Sequence, residues 1–239
     1  MKKTFALVDC RISEKCKREL SRCGFSVISL PPMKALPSPI ASHTDILTFY
    51  IDKTLFISEK YAEEHPEIYE MQKRELTGID IRTTKEYQKE GYPNDALFNG
   101  LVLGNCLFCR RDSFSREIIE FAESRGYRTV NVKQGYPACT VLKISENAAI
   151  TADRGMARTL CENGITVTLI ENGGVSLPPY EYGFIGGAGE AFGDKVYFLG
   201  DITSHPAYCE ISDAISKCSK IPHSLSDERL SDLGGITFI

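Results

Sequence analysis

A hairpin pattern recurs along the sequence at intervals of about 40–50 residues, and this repeat constrains the fold more than any other feature. Each copy has a short apolar run, a tight turn and a second apolar run, which is the pattern of two antiparallel strands. The copies occupy residues 43–58, 92–109, 134–153 and 182–201. Their turns fall at Asp52-Lys53, Gly104-Asn105, Glu146 and Gly193-Asp194. One supersecondary unit is therefore predicted to repeat through the molecule.

The fifth copy of this hairpin is divided between the two ends of the sequence. Residues 231–239 (SDLGGITFI) supply its first strand, and residues 4–9 (TFALVD) supply its second. Pairing of these strands would close a ring and remove its free sheet edges. The sequence therefore predicts an α/β fold with a single domain over residues 1–239. This domain is a five-unit pseudo-symmetric α/β propeller, closed by pairing of the N- and C-terminal strands.

Each unit also carries a helix and a further strand after its hairpin. Helices are predicted at residues 14–23, 67–76, 113–125, 155–163 and 206–218. Ser13 and either Ser113 or Ser115 are the expected caps of two of them. Strands are predicted after helices at residues 25–30, 127–133 and 165–171. The helices are expected outside the ring, with the strands around its centre.

Composition excludes several classes of partner. The net charge of −4 gives no general attraction to nucleic acid or to an anionic membrane surface, so neither is expected as a partner. The apolar run at the start ends at Asp9, which is too short for a signal peptide or a membrane span. The nine cysteines form no small disulfide framework, so reduced thiols and a cytoplasmic location are predicted. The oligomeric state is not indicated.

Aligning the turns places the residues that open the hairpins at equivalent positions around one central cavity. These residues are His43 and Asp45, Asn94 and Asp95, Pro137 and Cys139, Gly186 and Gly187, and Asp232 and Gly234. One imidazole, one thiol and three carboxylates would converge there. An imidazole can activate a thiol, and carboxylates can bind a cationic substrate. This set suits nucleophilic attack on a planar cationic carbon such as that of a guanidinium group.

Two of these segments resemble motifs of the pentein, or guanidino-group-modifying, fold of arginine and agmatine deiminases and dimethylarginine hydrolases. HTDILTFYID at residues 43–52 looks like the catalytic His-x-Asp strand of that fold. QGYPACTVL at residues 134–142 looks like its segment with the nucleophilic cysteine. The architecture extends the resemblance to all 239 residues. Among pentein-like proteins, the chain most closely resembles an uncharacterised bacterial branch.

The resemblance implies catalytic roles for three residues. Cys139 would be the nucleophile that forms a thiouronium-type intermediate, His43 the general acid and base, and Asp45 the residue that orients or binds the guanidinium group. The expected substrate-binding residues are Asp95, Asp232, Gly187 and Lys133. Lys133 flanks a hairpin and could bind a substrate carboxylate. The expected activity is that of a hydrolase or transferase acting on a guanidino or amidino small molecule, without metal or cofactor.

Two other interpretations stay open. A buried cysteine often serves as a small apolar residue, so the chain could be a catalytically silent protein that binds a small cationic metabolite or a protein partner. Cys106-x-x-Cys109 could be a metal or redox pair, although alternation along a strand would place its sulfurs on opposite faces. The interpretation as an enzyme requires Cys139 and His43 to face each other across one cavity, with carboxylates nearby.

Overall fold

The computed structural model describes residues 3–239, and its strands form five sheets of three strands each. The strands are β1 (Thr4–Asp9), β2 (Phe25–Leu30), β3 (Thr48–Ile51), β4 (Thr54–Ser58), β5 (Asp80–Thr84), β6 (Leu101–Leu103), β7 (Cys106–Cys109), β8 (Arg128–Asn131), β9 (Val141–Ser145), β10 (Ala148–Thr151), β11 (Thr166–Leu169), β12 (Gly189–Phe192), β13 (Lys195–Phe198), β14 (Ile221–Ser224) and β15 (Thr237–Phe238). The helices are α1 (Glu14–Arg22), α2 (Thr44–Leu47), α3 (Glu59–Glu64), α4 (Pro66–Glu75), α5 (Arg116–Ser124), α6 (Pro137–Thr140), α7 (Arg154–Glu162) and α8 (Tyr208–Lys217).

All five sheets share one topology. The central strand pairs antiparallel with one neighbour, and it pairs parallel with the strand that follows it after a helix. In one sheet, for example, Thr48 of β3 lies opposite Ile57 of β4, while Thr54 of β4 lies opposite Asp80 of β5. Parallel neighbours need a crossover connection, which explains the helix in every unit. The predicted five-unit α/β propeller is confirmed.

The fifth sheet joins the two ends of the chain. Strand β15 pairs antiparallel with β1, so that Ala6 lies opposite Phe238 and Leu7 lies opposite Thr237. Strand β1 then pairs parallel with β2, and the sheet order is β15-β1-β2. This pairing closes the ring as the sequence predicts, because it occupies the edge of β1 that would otherwise be free.

Short polar side chains fix where the outer helices begin. The hydroxyl of Ser13 caps α1, that of Ser115 caps α5, and the carboxylate of Asp153 caps α7 by accepting backbone N–H bonds. The charged segment after β4 contains two helices where one was predicted, because Pro66 disfavours a helical conformation at His65. Helix α3 therefore ends at Glu64, and Pro66 begins α4. No helix in the described part of the chain combines the length and apolar character needed to cross a bilayer.

The central strands supply most of the apolar core. Every residue of β4, β7 and β10 is buried, and so are residues 5–9 of β1. Leu7, Phe108 and Phe198 are among the largest fully buried side chains. Burial on both faces makes these strands a rigid scaffold for the segments that precede and follow them.

Replacing Phe238 by alanine tests the closure of the ring. The Phe238 ring lies 4.6 Å from that of Phe25, 4.9 Å from that of Phe192 and 5.4 Å from that of Tyr197, measured between centroids. We expect the free energy of unfolding to fall by about 1–3 kcal/mol, less than for a fully buried phenylalanine. Urea titration followed by circular dichroism measures the change. Leu169→Ala, which shortens an exposed apolar side chain, is the control and should have a much smaller effect.

Candidate active site

Short helical turns carry the residues that were predicted to react. His43 immediately precedes α2, Asp45 lies within α2, and Cys139 lies within α6. The sequence predicts extended strands at both places, and that local prediction is wrong. In α6 the fixed backbone of Pro137 favours a first helical position, and each turn changes to extended structure only at β3 or β9. The two turns meet through the side chains of Asp45 and Cys139.

His43, Asp45 and Cys139 meet at one point. One nitrogen, carboxylate oxygen or sulfur atom of each side chain lies within 4.8 Å of the corresponding atoms of the other two. The Cys139 thiol donates a hydrogen bond to Oδ2 of Asp45 at 2.7 Å. The side-chain amide of Asn99 donates to the same sulfur at 3.2 Å. The thiol is therefore held between a carboxylate and an amide, with an imidazole facing it.

Asp232 completes this group from the segment that leads to β15. Its carboxylate accepts hydrogen bonds from the backbone N–H groups of Phe184 at 2.9 Å and Gly234 at 3.2 Å. Its Oδ1 lies 3.9 Å from Nδ1 of His43. A Cβ atom at Gly187 would overlap the Asp232 carboxylate, and one at Gly234 would overlap His43. Glycine at these two positions therefore permits the close approach of Asp232 and the imidazole.

A cavity of about 690 Å³ opens beside these side chains. His43, Cys139 and Asp232 are part of its wall. The other acidic residues of the wall are Glu90, Asp95 and Glu181, and its aromatic residues are Tyr92, Tyr136, Tyr180, Tyr182 and Phe184. No lysine or arginine among residues 3–239 lines the cavity. The cavity is therefore acidic and aromatic, a combination that suits a cation.

The seven residues proposed from the sequence occupy different places relative to this cavity. The cavity is lined by His43, Cys139, Asp95 and Asp232. Asp45 is not part of the wall but contacts the Cys139 sulfur. Gly187 lies against Asp232 and does not line the cavity wall. Lys133 is exposed and also lies outside the wall. Five of the seven side chains therefore come together.

Burial controls the ionisation of the clustered groups. It lowers the pKa of His43 to about 3, with a smaller effect from the charge of Arg11. Burial raises the pKa of Asp45 to about 8 and that of Asp232 to about 6. Burial, followed by the neighbouring carboxylates, raises the pKa of the Cys139 thiol well above its usual value. At neutral pH the imidazole is neutral and the thiol protonated, and a cation bound beside them lowers the pKa of the thiol.

Several buried polar atoms of this cluster have no hydrogen-bond partner in the described structure. They are both ring nitrogens of His43, Oδ1 of Asp45 and Oδ1 of Asp95. Buried polar atoms are nearly always paired in proteins, because an unpaired one costs roughly 1–3 kcal/mol. The unpaired atoms of His43 and Asp95 belong to residues of the cavity wall, so water or a ligand in the cavity can bond to them.

Replacing Asp45 by asparagine tests the raised pKa of this carboxyl group. Because its pKa rises from 3.8 to about 8 on folding, its stabilising contribution is complete below 3.8 and is lost as the pH rises through about 8. Asparagine does not ionise, and its amide oxygen can still accept the Cys139 hydrogen bond. We therefore expect Asp45→Asn to be more stable than the wild type above about pH 8, with the difference shrinking toward about pH 4.

Urea unfolding of both proteins across this pH range measures the difference. Asp112→Asn is the control, because the pKa of the exposed Asp112 is lowered by its hydrogen bond with Arg110. Its stabilising contribution is present above the unfolded pKa, so removing it should give no gain at alkaline pH. A stability gain of Asp45→Asn that is the same at every pH would contradict a raised pKa.

The same three side chains also include the ligand types of a zinc site. Zinc ligands on a tetrahedral ion lie about 3.4–3.6 Å apart, given metal–ligand distances of about 2.0–2.3 Å. The Cys139 sulfur and the Asp45 oxygen are closer, at the 2.7 Å of a direct hydrogen bond. The thiol of Cys139 and the carboxyl group of Asp45 therefore contact each other directly, at a separation shorter than that of two zinc ligands.

Asn99 is a site residue that the sequence analysis missed. Its Nδ2 donates to the Cys139 sulfur, and its Oδ1 accepts from the backbone N–H of Ala138 at 2.8 Å. It lies two residues before β6, just as Cys139 lies two residues before β9. This shared offset becomes visible only when the strand boundaries are known, because the sequence aligns the hairpins at their turns.

Cys106 and Cys109 do not form a shared site. Both are buried on β7, but they belong to different apolar clusters. The Cys106 sulfur accepts a hydrogen bond from the Arg128 guanidinium at 3.2 Å. The two thiols are therefore separated on opposite faces of the strand, as alternation predicts.

Comparisons with known proteins agree with this architecture. A model described as a family of unknown function, DUF6873, matches residues 7–237. No curated protein matches the chain. The structure of DDAH, a dimethylarginine dimethylaminohydrolase, from Pseudomonas aeruginosa complexed with citrulline is similar with a TM-score of 0.59 and 13% identity, over 98% of this chain and 96% of that one.

Two further solved structures are similar at low identity. The agmatine deiminase of C. jejuni has a TM-score of 0.54 and 8% identity, over 94% of this chain and 88% of that one. An inosamine-phosphate amidinotransferase from Streptomyces griseus has a TM-score of 0.54 and 13% identity, over 94% of this chain and 78% of that one. At these identities the similarity establishes the fold. The chain has the pentein fold that its motifs indicate.

Proposed function

The chain belongs to this family, DUF6873, and we propose that it is a cysteine-dependent hydrolase or transferase acting on a guanidino or amidino compound. One observation carries the proposal: reactive atoms of Cys139, His43 and Asp45 lie within 4.8 Å of one another beside an acidic cavity. The similar solved structures add support, since they include a dimethylarginine dimethylaminohydrolase, an agmatine deiminase and an amidinotransferase.

The carboxylates account for binding of a planar cation. A guanidinium group has several N–H donors in one plane and pairs with carboxylates through charge-assisted hydrogen bonds. Asp95 and Asp232 line the cavity, and Asp45 and Asp95 each have an unpaired buried oxygen. The positive charge of the ligand offsets the desolvation that raises the pKa of these carboxyl groups. Binding therefore favours the ionised carboxylates that hold the ligand.

The first half-reaction forms a covalent intermediate on Cys139. The neutral imidazole of His43 takes the thiol proton, and the sulfur attacks the central carbon to form a carbon–sulfur bond. Asp232, with Oδ1 at 3.9 Å from the His43 ring, stabilises the imidazolium charge. One carbon–nitrogen bond then breaks, and the departing nitrogen takes the proton from His43. Cys139 is left with a thiouronium group.

The second half-reaction releases the product. Water enters the site, His43 removes one of its protons, and the oxygen bonds to the central carbon. The carbon–sulfur bond then breaks, the sulfur recovers a proton from the imidazolium, and the hydroxyl group on the central carbon loses its proton to solvent. This sequence gives a ureido product and restores the thiol and the neutral imidazole. A transferase follows the same course with an amine in place of water.

The charge of the cavity wall selects the class of substrate. An α-carboxylate, as in an amino acid, would need a cationic partner, and the wall contains no lysine or arginine in the described structure. Lys133 lies outside the wall. Glu90 and Glu181 instead add negative charge to it. The proposed substrate is therefore a guanidino or amidino compound whose other end is neutral or cationic.

A panel of guanidino compounds tests this proposal. Guanidino amines and guanidino acids of equal chain length are incubated with the purified protein, and release of ammonia, urea or amine is measured. We expect turnover of guanidino amines, with guanidino acids slower by at least about tenfold in kcat/KM, a difference of about 1.4 kcal/mol. Faster turnover of the acids would contradict the proposed substrate class. A lack of turnover with every compound would contradict the proposal that the protein is an enzyme acting on guanidino compounds.

One observation favours a second candidate, a protein that binds a cation without catalysis. The Cys139 thiol is buried, hydrogen-bonded and has a raised pKa, which makes it poorly nucleophilic before a ligand binds. A binding protein would show ligand-dependent thermal stabilisation with guanidino amines, equal stabilisation of Cys139→Ala, and no released product. This combination of results distinguishes it from the enzyme.

A further inference from the structure

A second group of metal-ligand side chains lies where helix α1 meets strand β14. It consists of Glu19, Cys23 and His223, and one atom from each lies within 4.8 Å of the other two. None of the three lines the cavity of the candidate active site. The group is independent of the residues that the proposed reaction uses. Its donors are a carboxylate oxygen, a sulfur and an imidazole nitrogen, which are three common zinc ligands.

We propose that Glu19, Cys23 and His223 form a binding site for a divalent transition-metal ion of zinc-like preference. The Cys23 sulfur lies 3.7 Å from Nε2 of His223, and Oε1 of Glu19 lies 3.2 Å from the same nitrogen. On a tetrahedral zinc ion, sulfur and nitrogen ligands lie about 3.6 Å apart, and oxygen and nitrogen ligands lie about 3.4 Å apart. The observed separations match two of the three edges between these ligands to within a few tenths of an ångström, and the third pair, Cys23 and Glu19, lies within 4.8 Å.

The local structure fixes the positions of these ligands. Glu19 lies on α1, and Cys23 follows it by four residues as the C-cap, so the two side chains lie on the same face. Strand β14 places His223 directly opposite Tyr197 of β13, and the two rings meet edge to face at 5.4 Å between centroids. Arg22 binds Oε2 of Glu19, which leaves Oε1 directed at His223. The site therefore needs little rearrangement to receive an ion.

Exposure and charge also suit an ion. The side chains of His223 and Glu19 are 25% and 28% exposed, so an ion can enter and a water molecule can occupy the fourth position. Binding replaces the proton on the Cys23 sulfur with the metal. A thiolate and a carboxylate then balance the two positive charges of the ion. The metal site thus has three protein ligands and one solvent ligand.

Such an ion would join the unit that closes the ring to the unit that precedes it along the chain. Helix α1 connects β1 to β2, while β14 belongs to the β12-β13-β14 sheet. The metal site spans the boundary between these two sheets, beside the closure made by β15. We therefore expect metal binding to stabilise the closed ring, because it occurs only when both units are in place.

Titration of the full-length, chelator-treated protein with Co²⁺ tests the site. A cobalt–thiolate bond gives a near-ultraviolet charge-transfer band, and tetrahedral cobalt gives strong visible bands. We expect one equivalent of Co²⁺ per chain, displacement of Co²⁺ by Zn²⁺, and a higher melting temperature with Zn²⁺. Cys23→Ser should abolish the charge-transfer band, and His223→Gln should weaken binding by about tenfold or more.

Two matched controls separate this site from other thiols. Cys161→Ser removes an exposed thiol elsewhere, and Cys139→Ser removes the thiol of the candidate active site. Both variants should keep the cobalt spectrum, and circular dichroism checks that all variants are folded. A band that survives Cys23→Ser and disappears in Cys139→Ser would place the ion at the other cluster and overturn the proposal. Absence of a saturable band in the wild type would also overturn it. The first of these results would also contradict Cys139 as a metal-free nucleophile, whereas the second would leave the proposed turnover of guanidino compounds untouched.

Discussion

Cys139→Ala is expected to lower kcat for a guanidino substrate by at least about 10³-fold, because no other group can form the covalent bond to carbon. The Cys139 sulfur is the thiol that faces His43 and the cavity, so its loss removes the nucleophile and leaves the cavity wall otherwise intact. Substrate binding should therefore persist. Initial rates of product release, together with ligand-induced thermal shifts, measure the two effects separately.

Cys209→Ser is the matched control, because Cys209 is an exposed thiol on α8, outside the cavity wall. It should retain wild-type turnover. Residual activity of Cys139→Ala within about tenfold of the wild type would rule out a covalent mechanism through this residue. The alanine variant also loses the hydrogen bonds to Asp45 and Asn99, so its folded state should be checked by circular dichroism.

His43→Gln is expected to reduce turnover by about 10²–10⁴-fold and to trap the covalent intermediate. The second half-reaction needs a base to activate water, and His43 is the neutral imidazole beside Cys139. A guanidinium-like cation lowers the thiol pKa by its own charge, so attack by sulfur persists in part. Hydrolysis of the intermediate has no comparable substitute for His43, because the water still needs a base. The thiouronium adduct should therefore accumulate.

An S-methylisothiourea derivative makes this experiment sharper, because its thiolate leaving group depends less on protonation than an amine does. Mass spectrometry of the digested protein should show the amidino group on the peptide that contains Cys139 in His43→Gln, and little of it in the wild type. His65→Gln is the control, since His65 lies outside the cavity wall. Equal adduct in all three proteins would show that His43 has no role in hydrolysis.

The parts of the fold governed by short-range patterns could be predicted from the sequence. The turn at Asp52-Lys53 separates two apolar runs, and both turn residues adopt positive φ in the structure. The helix cap at Ser13 depends on neighbours within three residues, and it is confirmed. Closure by β15 was also predictable. Each end of the sequence carries only one strand of a hairpin, so the two end strands are left to pair with each other.

The parts of the site that depend on long-range contacts could not be predicted in the same way. Asn99 and Cys139 are 40 residues apart, and their hydrogen bond arises only when two units pack together. The position of Gly187 also illustrates the limit. Its equivalence to Asp45 and Cys139 in the repeat suggested a ligand contact. In the structure, the absence of a side chain at Gly187 instead leaves room for the Asp232 carboxylate.

The ring closure makes the candidate site dependent on a late event in synthesis. Asp232 and β15 follow every other site element along the chain, so a nascent chain on the ribosome carries His43 and Cys139 long before it has this carboxylate. Until residues 232–238 emerge and β15 pairs with β1, the edge of β1 is open and one wall of the cavity is missing. Domains generally fold as units during synthesis. Here the reactive group is completed by the same segment that seals the ring, so an unfinished chain has a thiol without a finished pocket.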